Sequence, residues 1–152
     1  MSVQDPAVGN KPATNLICDW MARELVTAGP LDSVGRAREL LQEHRINQLP
    51  IIKDDKLVGI ATDRDLRTKE YIPQSSYEIP LELVMSRDVI TLEPHCALID
   101  AVLLLRRKRI GSVPIVNNGR LVGILTRSDI LEAFISEEKE RAGDTQTHDH
   151  KA

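Results

Sequence analysis

Two threonine–aspartate pairs, Thr62 with Asp65 and Thr126 with Asp129, are the residues of this chain best placed for chemistry. In each pair the acid follows the threonine by three positions, just after a β-branched run and at the start of a helical pattern. That spacing fits a capping box, in which the threonine accepts from a backbone N–H and the acid reaches back. The same groups can also hold a ligand. A helix N-terminus, with free N–H groups and the positive end of the dipole, attracts phosphate. The hydroxyl can donate to a phosphate oxygen, and the carboxylate can accept from both hydroxyls of a ribose, as a charged and therefore stronger acceptor. Spacing alone favours capping and leaves both readings open.

The pairs lie 64 positions apart, and that offset carries one segment of the chain onto the next without a gap. Met21 falls on Met85, Thr27 on Thr91, Pro30 on Pro94, Ala37 on Ala101, Arg45-Ile46 on Arg109-Ile110 and Pro50-Ile51 on Pro114-Ile115. Leu57-Val58-Gly59-Ile60 falls on Leu121-Val122-Gly123-Ile124. Two copies are too few for a solenoid. They suit a pseudo-two-fold pair, each copy burying its apolar face on the other. A site made by one copy should then have a mirror in the second.

The elements that must position the pairs follow from pattern. A short strand is expected over Glu24–Thr27 and again over Asp88–Leu92. Asp32-Ser33 signals a helix start, and Val34, Ala37, Leu40 and Leu41 continue at helical spacing. The second copy, Ala97–Lys108, is more apolar and is expected to bury more of its circumference. The basic run Arg106-Arg107-Lys108-Arg109 suits a helix end, where cations complement the dipole. Next come the runs Gln48–Lys53 and Lys56–Ala61, matched by Ser112–Val116 and Arg120–Leu125. Asn117-Asn118-Gly119 between the latter two is a strong hairpin signal. Thr62 and Thr126 each open another helix, the first to about Lys69 and the second towards Glu140. The fold class is thus α/β (α+β), two β-α-β-β-α motifs packed as a pseudo-two-fold pair. The expected organisation is a flexible arm at 1–13, a first motif at 14–70 in which Thr14 could cap a short opening helix, a linker at 71–80, a second motif at 81–136, and a helix end with disordered tail at 137–152.

Composition narrows the functional classes. Net charge is −3 and aromatics are 3% of the residues. That argues against a nucleic-acid footprint, which is basic and often stacks bases on aromatic rings. Cys18 and Cys96 make neither a disulfide framework nor a zinc site. The N-terminal residues lack the basic and apolar regions of a signal peptide, and the longest apolar run, Ala101–Leu105, is far short of a membrane span. A soluble, cytoplasmic protein is the expectation. His148-Asp149-His150 is read as chance rather than as a metal site. No nucleophile–base pair, glycine-rich phosphate loop or metal cluster stands out, so enzyme activity is not expected.

Pro50-Ile51-Ile52, Leu57-Val58-Gly59-Ile60 and Thr62-Asp63-Arg64-Asp65 resemble the cystathionine-β-synthase (CBS) motif. Pro114-Ile115-Val116, Leu121–Leu125 and Thr126-Arg127-Ser128-Asp129 resemble it again, so that the resemblance covers about 15–136. A tandem pair is similar to a Bateman module, to stand-alone bacterial CBS-pair proteins, and to the N-terminal part of acetoin-utilisation proteins. The resemblance implies a regulatory module that binds adenine nucleosides or nucleotides in clefts between the copies. Thr-x-x-Asp is where such sites hold ribose and phosphate, which tips the reading of Asp65 and Asp129 towards ribose ligands. Ile46, Asn47 and Pro50, with Ile110, Gly111, Ser112 and Pro114, occupy the stretch that lines the purine pocket. Arg64, Arg127 and Ser128 could face phosphates. Asn47-Gln48 and Gly111-Ser112 stand where family sites for several phosphates often carry His or Arg, which argues against strong triphosphate binding. Gly111 makes the second copy the roomier. Candidate ligands are AMP, ADP, ATP, S-adenosylmethionine and NAD, with no cofactor required. Such modules also pair into homodimers and act on a regulated protein that the sequence does not name. The competing reading is a ligand-free dimerisation or interaction scaffold, in which Thr-x-x-Asp is pure capping.

Overall fold

The structure is a computed structural model that describes residues 15–67 and 77–149. Helix α1 spans Ile17–Trp20, α2 Val34–His44, α3 Asp63–Arg67, α4 Leu98–Lys108 and α5 Arg127–Asp149. Strands β1 (Gln48–Lys53), β2 (Lys56–Thr62), β3 (Ser112–Asn117) and β4 (Arg120–Thr126) form one sheet in the order β1-β2-β4-β3. Among the described residues no helix is long and apolar enough to cross a membrane. The arm at 1–13, Thr14, the linker positions 71–76 and the continuation of α3 towards Lys69 lie outside the described residues.

Each long helix is set by its ends. Ser33 Oγ accepts from the Arg36 N–H at the start of α2. Val34, Ala37, Leu40 and Leu41 are its buried stripe. At the other end Arg45 turns into the left-handed region at φ 53°, and the Ile46 N–H donates to the Leu41 carbonyl. Arg109 closes α4 in the same way at φ 54°, after the basic last turn Arg106-Arg107-Lys108. The expectation that α4 buries more of its circumference does not hold within the chain. It buries only Leu98, Ala101 and Leu105, while Ile99 and Leu103 are 55% and 53% exposed. A helix laid on one sheet covers one face, and the extra apolar positions point away from it.

Both hairpins turn tightly. Asn118 (φ 52°) and Gly119 (φ 82°) have the paired positive φ of a type I′ turn, and Asp54 (φ 51°) and Asp55 (φ 64°) repeat it without glycine. The hairpins meet at their tips through the single pair Lys56↔Arg120, and the Leu57 N–H donates to the Gly119 carbonyl.

The strands expected at Glu24–Thr27 and Asp88–Leu92 are absent. Each shrinks to one parallel bridge, Ala28↔Ile51 and Leu92↔Ile115. Proline explains it on both sides. The Ala28 N–H donates to the Pro50 carbonyl and the Ile52 N–H to the Ala28 carbonyl. Extending that ladder in one direction needs the amide of residue 50 and in the other that of residue 30, and both are proline. Pro114 and Pro94 stop the second copy identically.

The two cores do not follow chain order. The first gathers Val34, Leu41, Leu49, Ile51, Ala61 and Leu66 together with Leu81 and Met85. The second gathers Leu98, Leu105, Val113, Ile115, Leu125 and Ala133 together with Ile17 and Met21. The segment preceding each repeat therefore packs into the other half. Ala22 pairs antiparallel with Ile124 on β4, and Ser86 with Ile60 on β2. Helix α5 also runs past Glu140 to Asp149, beyond the helix end expected from sequence.

Candidate functional site

Both threonine–aspartate pairs form capping boxes. At the start of α3 the Thr62 N–H donates to Asp65 Oδ2 at 3.2 Å, and the Asp65 N–H to Thr62 Oγ1 at 3.1 Å. At the start of α5 the Thr126 N–H donates to Asp129 Oδ2 at 2.8 Å, and the Asp129 N–H to Thr126 Oγ1 at 3.3 Å. There the hydroxyl also donates to the carboxylate at 3.0 Å. The first amide of each helix is engaged as well: Asp63 N–H meets the Asn47 carbonyl and Arg127 N–H the Gly111 carbonyl. Each helix start is thereby tied to the entry of the neighbouring strand, which brings the Thr-x-x-Asp and Ile-x-x-x-Pro stretches together.

Two clefts result, related by the repeat. The larger, about 600 Å³, is lined by Ala22 and Glu24–Val26 from the first lead segment, by Arg45–Gln48, and by Gly111, Ser112, Ile124, Thr126, Arg127 and Ser128. The smaller, about 260 Å³, is lined by Ser86, Asp88, Val89 and Ile90 from the second lead segment, by Gln48, Ile60, Thr62 and Asp65, and by Ile110, Ser112 and Pro114. The larger carries Gly111, where an added Cβ would meet nothing nearer than Arg127 Nε at 3.9 Å. A third cavity of about 910 Å³ is lined by α2, Arg45–Asn47, Asp63 and Tyr77, and none of Thr62, Asp65, Thr126 or Asp129 lines it.

Of the residues singled out from sequence, Ile46, Asn47, Gly111, Ser112, Thr126, Arg127 and Ser128 line the larger cleft. Thr62, Asp65, Ile110, Ser112 and Pro114 line the smaller. Asp129 stays in its capping box, and Arg64 is exposed on the first turn of α3 without lining either cleft. Pro50 is buried among the core residues, where its carbonyl holds Ala28. Sequence reasoning missed the lead segments, Ala22 to Val26 and Ser86 to Ile90, which supply one wall of each cleft. The only signal for them was the 64-residue offset itself, which pairs Glu24-Leu25-Val26 with Asp88-Val89-Ile90. Among the described residues no group of three or more His, Cys, Asp or Glu could hold a metal ion. The side chains of His148 and Asp149, and all of His150, lie outside the described set.

Two matched repeats, each an antiparallel hairpin with its helices and a Thr-x-x-Asp cap at the helix that follows the hairpin, with two mirrored clefts, define a tandem pair. The CBS domain family model matches residues 17–70 and 81–136, and the chain belongs to that family. Inosine-5′-monophosphate dehydrogenase of Thermoplasma acidophilum is 39% identical over 110 residues, 72% of this chain. The chain spans only 21% of that enzyme's length. Among solved structures, an acetoin utilization protein (AcuB) from Vibrio cholerae matches with TM-score 0.78 and 28% identity, covering 86% of this chain and 97% of its own. The CBS domain pair of protein MJ0100, in complex with 5′-methylthioadenosine and S-adenosyl-L-methionine, matches with TM-score 0.71 and 31% identity, covering 82% and 98%. CBSX2 in complex with AMP matches with TM-score 0.74 and 29% identity, covering 81% and 98%.

Proposed function

We propose that this CBS pair is a non-catalytic regulatory module that binds an adenosyl ligand between its motifs and signals through their relative placement. The observation that carries the reading is the larger cleft. It opposes Thr126, Arg127 and Ser128 of one repeat to Glu24–Val26 and Arg45–Gln48 of the other. A base lies against the apolar Leu25, Val26 and Ile46, and the ribose and its 5′ substituent reach the α5 start, where Asp129 and Thr126 exchange their capping bonds for ligand contacts. Related pairs solved with AMP, and with S-adenosyl-L-methionine and 5′-methylthioadenosine, support the ligand class.

The wiring of the lead segment makes the cleft a transmission point. Residues 22–28 are fixed at Ala22 to β4 and at Ala28 to β1, one anchor in each half. A ligand seated against 24–26 therefore bears on both anchors. It shifts the pair only to the extent that it binds the two arrangements unequally. The output passes through a homodimer to a regulated protein. The dimer face is the apolar surface of α4 and α5, where Leu131 and Phe134 are each 59% exposed beside Ile99 and Leu103.

A thermal-shift panel of AMP, ADP, ATP, S-adenosylmethionine and NAD tests the reading, on protein shown by mass spectrometry after denaturation to carry no nucleotide. At about 100 times its dissociation constant a ligand adds about 2.7 kcal/mol to the native state. That is several degrees for a domain of this size. No shift with any of the five at millimolar concentration leaves the scaffold reading in its place.

A further inference from the structure

The chain has two cysteines, and the fold brings both to one junction. Cys18 and Cys96 stand 78 positions apart. They meet where the lead segment of the first repeat crosses to the second half. Leu16 pairs antiparallel with Ala97 there. The Leu98 N–H donates to the Asn15 carbonyl at 2.8 Å, and the Ile17 N–H to the Cys96 carbonyl at 3.0 Å. Helix α1 begins at Ile17, and the Cys18 N–H reaches the Pro94 carbonyl at 2.9 Å. Cys18 is thereby one residue from direct opposition to Cys96. Opposed residues of an antiparallel pair stand about 4.5–5.5 Å apart at Cα, inside the roughly 4.4–6.8 Å that a disulfide bridges. Both cysteines are half-buried, and both border the core that holds Ile17, Leu98 and Val113.

The first half repeats this junction without sulfur. Ser33 pairs antiparallel with Pro80. The Val34 N–H donates to the Ile79 carbonyl, the Leu81 N–H to the Asp32 carbonyl and the Glu82 N–H to the Pro30 carbonyl. The repeat mates of Cys96 and Cys18 are therefore Asp32 and Glu82, two carboxylates. The backbone junction forms without cysteine, yet in the second half a thiol stands on each side of it.

We propose that Cys18 and Cys96 are a site of reversible oxidation, forming a disulfide that staples the first lead segment to the second half. The co-reactant is a small disulfide of the glutathione class. One cysteine thiolate attacks a sulfur of that disulfide, forms a mixed disulfide and releases the first glutathione thiolate. The other cysteine attacks the protein sulfur of the mixed disulfide and releases the second. Two protein thiols are oxidised, one small disulfide is reduced, and the two protons end on the two released thiols. The bond acts at the root of the segment that forms a cleft wall. That segment is held to the second half at Leu16 and Ala22 and to the first at Ala28. Helix α1 has four residues, too few to be stable alone. In the dithiol state the root is kept by its hydrogen bonds and by the burial of Ile17 and Met21. The disulfide fixes it covalently, whatever the cleft binds.

The test incubates the full chain, at low micromolar concentration, with oxidised glutathione. Intact mass, a non-reducing gel and proteolysis without reductant read the product. The expected product has lost two hydrogens, carries no glutathionyl group and runs as a single chain. Its digest holds the Cys18 peptide joined to the Cys96 peptide, and dithiothreitol reverses the change. The unfolding midpoint rises by several degrees, because a bond between positions so distant restricts the unfolded chain. Amide exchange at Ile17, Cys18 and Leu98 slows about tenfold or more. Cys18→Ser and Cys96→Ser, checked for fold by circular dichroism, each take up one glutathionyl group and form no link within the chain. A folded parent that stops at two glutathionyl groups, links only between chains or keeps both thiols unreacted overturns the proposal. So does a link within the chain that leaves the exchange of those three amides unchanged, since such a bond would staple nothing.

Discussion

Met21 packs its sulfur against the bare Cα of Gly123, so closely that a Cβ on that glycine would lie 2.5 Å from Sδ. Its repeat mate does the same, with Met85 Sδ over the place a Cβ on Gly59 would take. Each methionine comes from the lead segment of one repeat and each glycine from the inner strand of the other. The contact is thus one point at which the halves are locked together, and Leu-Val-Gly-Ile needs glycine for that packing.

Gly123→Ala should destabilise the chain by roughly 1–3 kcal/mol, the usual cost of overpacking a filled site. Met21→Ala in the same chain should restore part of it, because the sulfur goes but the Ala22 carbonyl, 3.1 Å from the new Cβ, remains. Urea unfolding of both single variants and the double gives the coupling. Additive losses would mean that Met21 and Gly123 do not share the site.

This contact was invisible in the sequence, although both partners were in view. The 64-residue offset exposed Met21 with Met85 and Gly59 with Gly123 as repeat mates, but an offset does not say whether a segment packs on its own repeat or on the other. The local features were legible, because their causes lie within a few residues. Asn118-Gly119 dictates its turn, and Thr126 and Asp129 dictate their cap. The missing lead strands were legible in principle. Pro30 and Pro50 each remove an amide from the same ladder, but seeing this requires the parallel register that aligns Ala28 with Ile51. The walls of the clefts made by Glu24–Val26 and Asp88–Ile90 were lost for the same reason, since they are defined by crossing to the opposite half.

Arg109→Gly should stabilise the chain by up to about 1 kcal/mol. Arg109 holds φ at 54° to close α4, a conformation that strains a residue with a Cβ and suits glycine. The gain is reduced by the larger unfolded-state entropy of glycine and the lost charge at the helix end. Arg109 lines neither cleft, so nucleotide affinity should not change. A lower unfolding midpoint would show that its side chain contributes more than its backbone strain costs.

Leu131→Lys combined with Phe134→Lys should yield a monomer. Both residues are 59% exposed on α5, beside Ile99 and Leu103 of α4. The repeat mates of Ile99 and Leu103 on α2 are Gly35 and Glu39, so α2 lacks this apolar pair. Light scattering at tens of micromolar should give a dimer for the parent and half that mass for the variant. A parent that is already monomeric would remove the dimer from the functional reading.

Asp129→Glu separates the two roles of the repeated acid, which Asp129→Ala would remove together. Glutamate at the third helical position is a good partner in a capping box, so apo stability should hold within about 1 kcal/mol. The carboxylate must still reach the Thr126 N–H, which it now meets at 2.8 Å, and one added methylene can be absorbed by a change of rotamer. A ribose offers no such latitude, because both hydroxyls must be met from a fixed distance. Losing a hydrogen bond to a charged group costs about 1.5–3 kcal/mol, so nucleotide affinity should fall by about tenfold or more. Asp65→Glu, at the mirrored cap, provides the internal comparison. If a nucleotide is bound only at the α5 start, its affinity should be insensitive to the change at α3, where stability alone is reported. Calorimetry beside urea unfolding on both variants reads the four quantities. Parental affinity in both variants would assign the carboxylates to capping alone and leave Thr126 and Arg127 as the ligand contacts of that cleft.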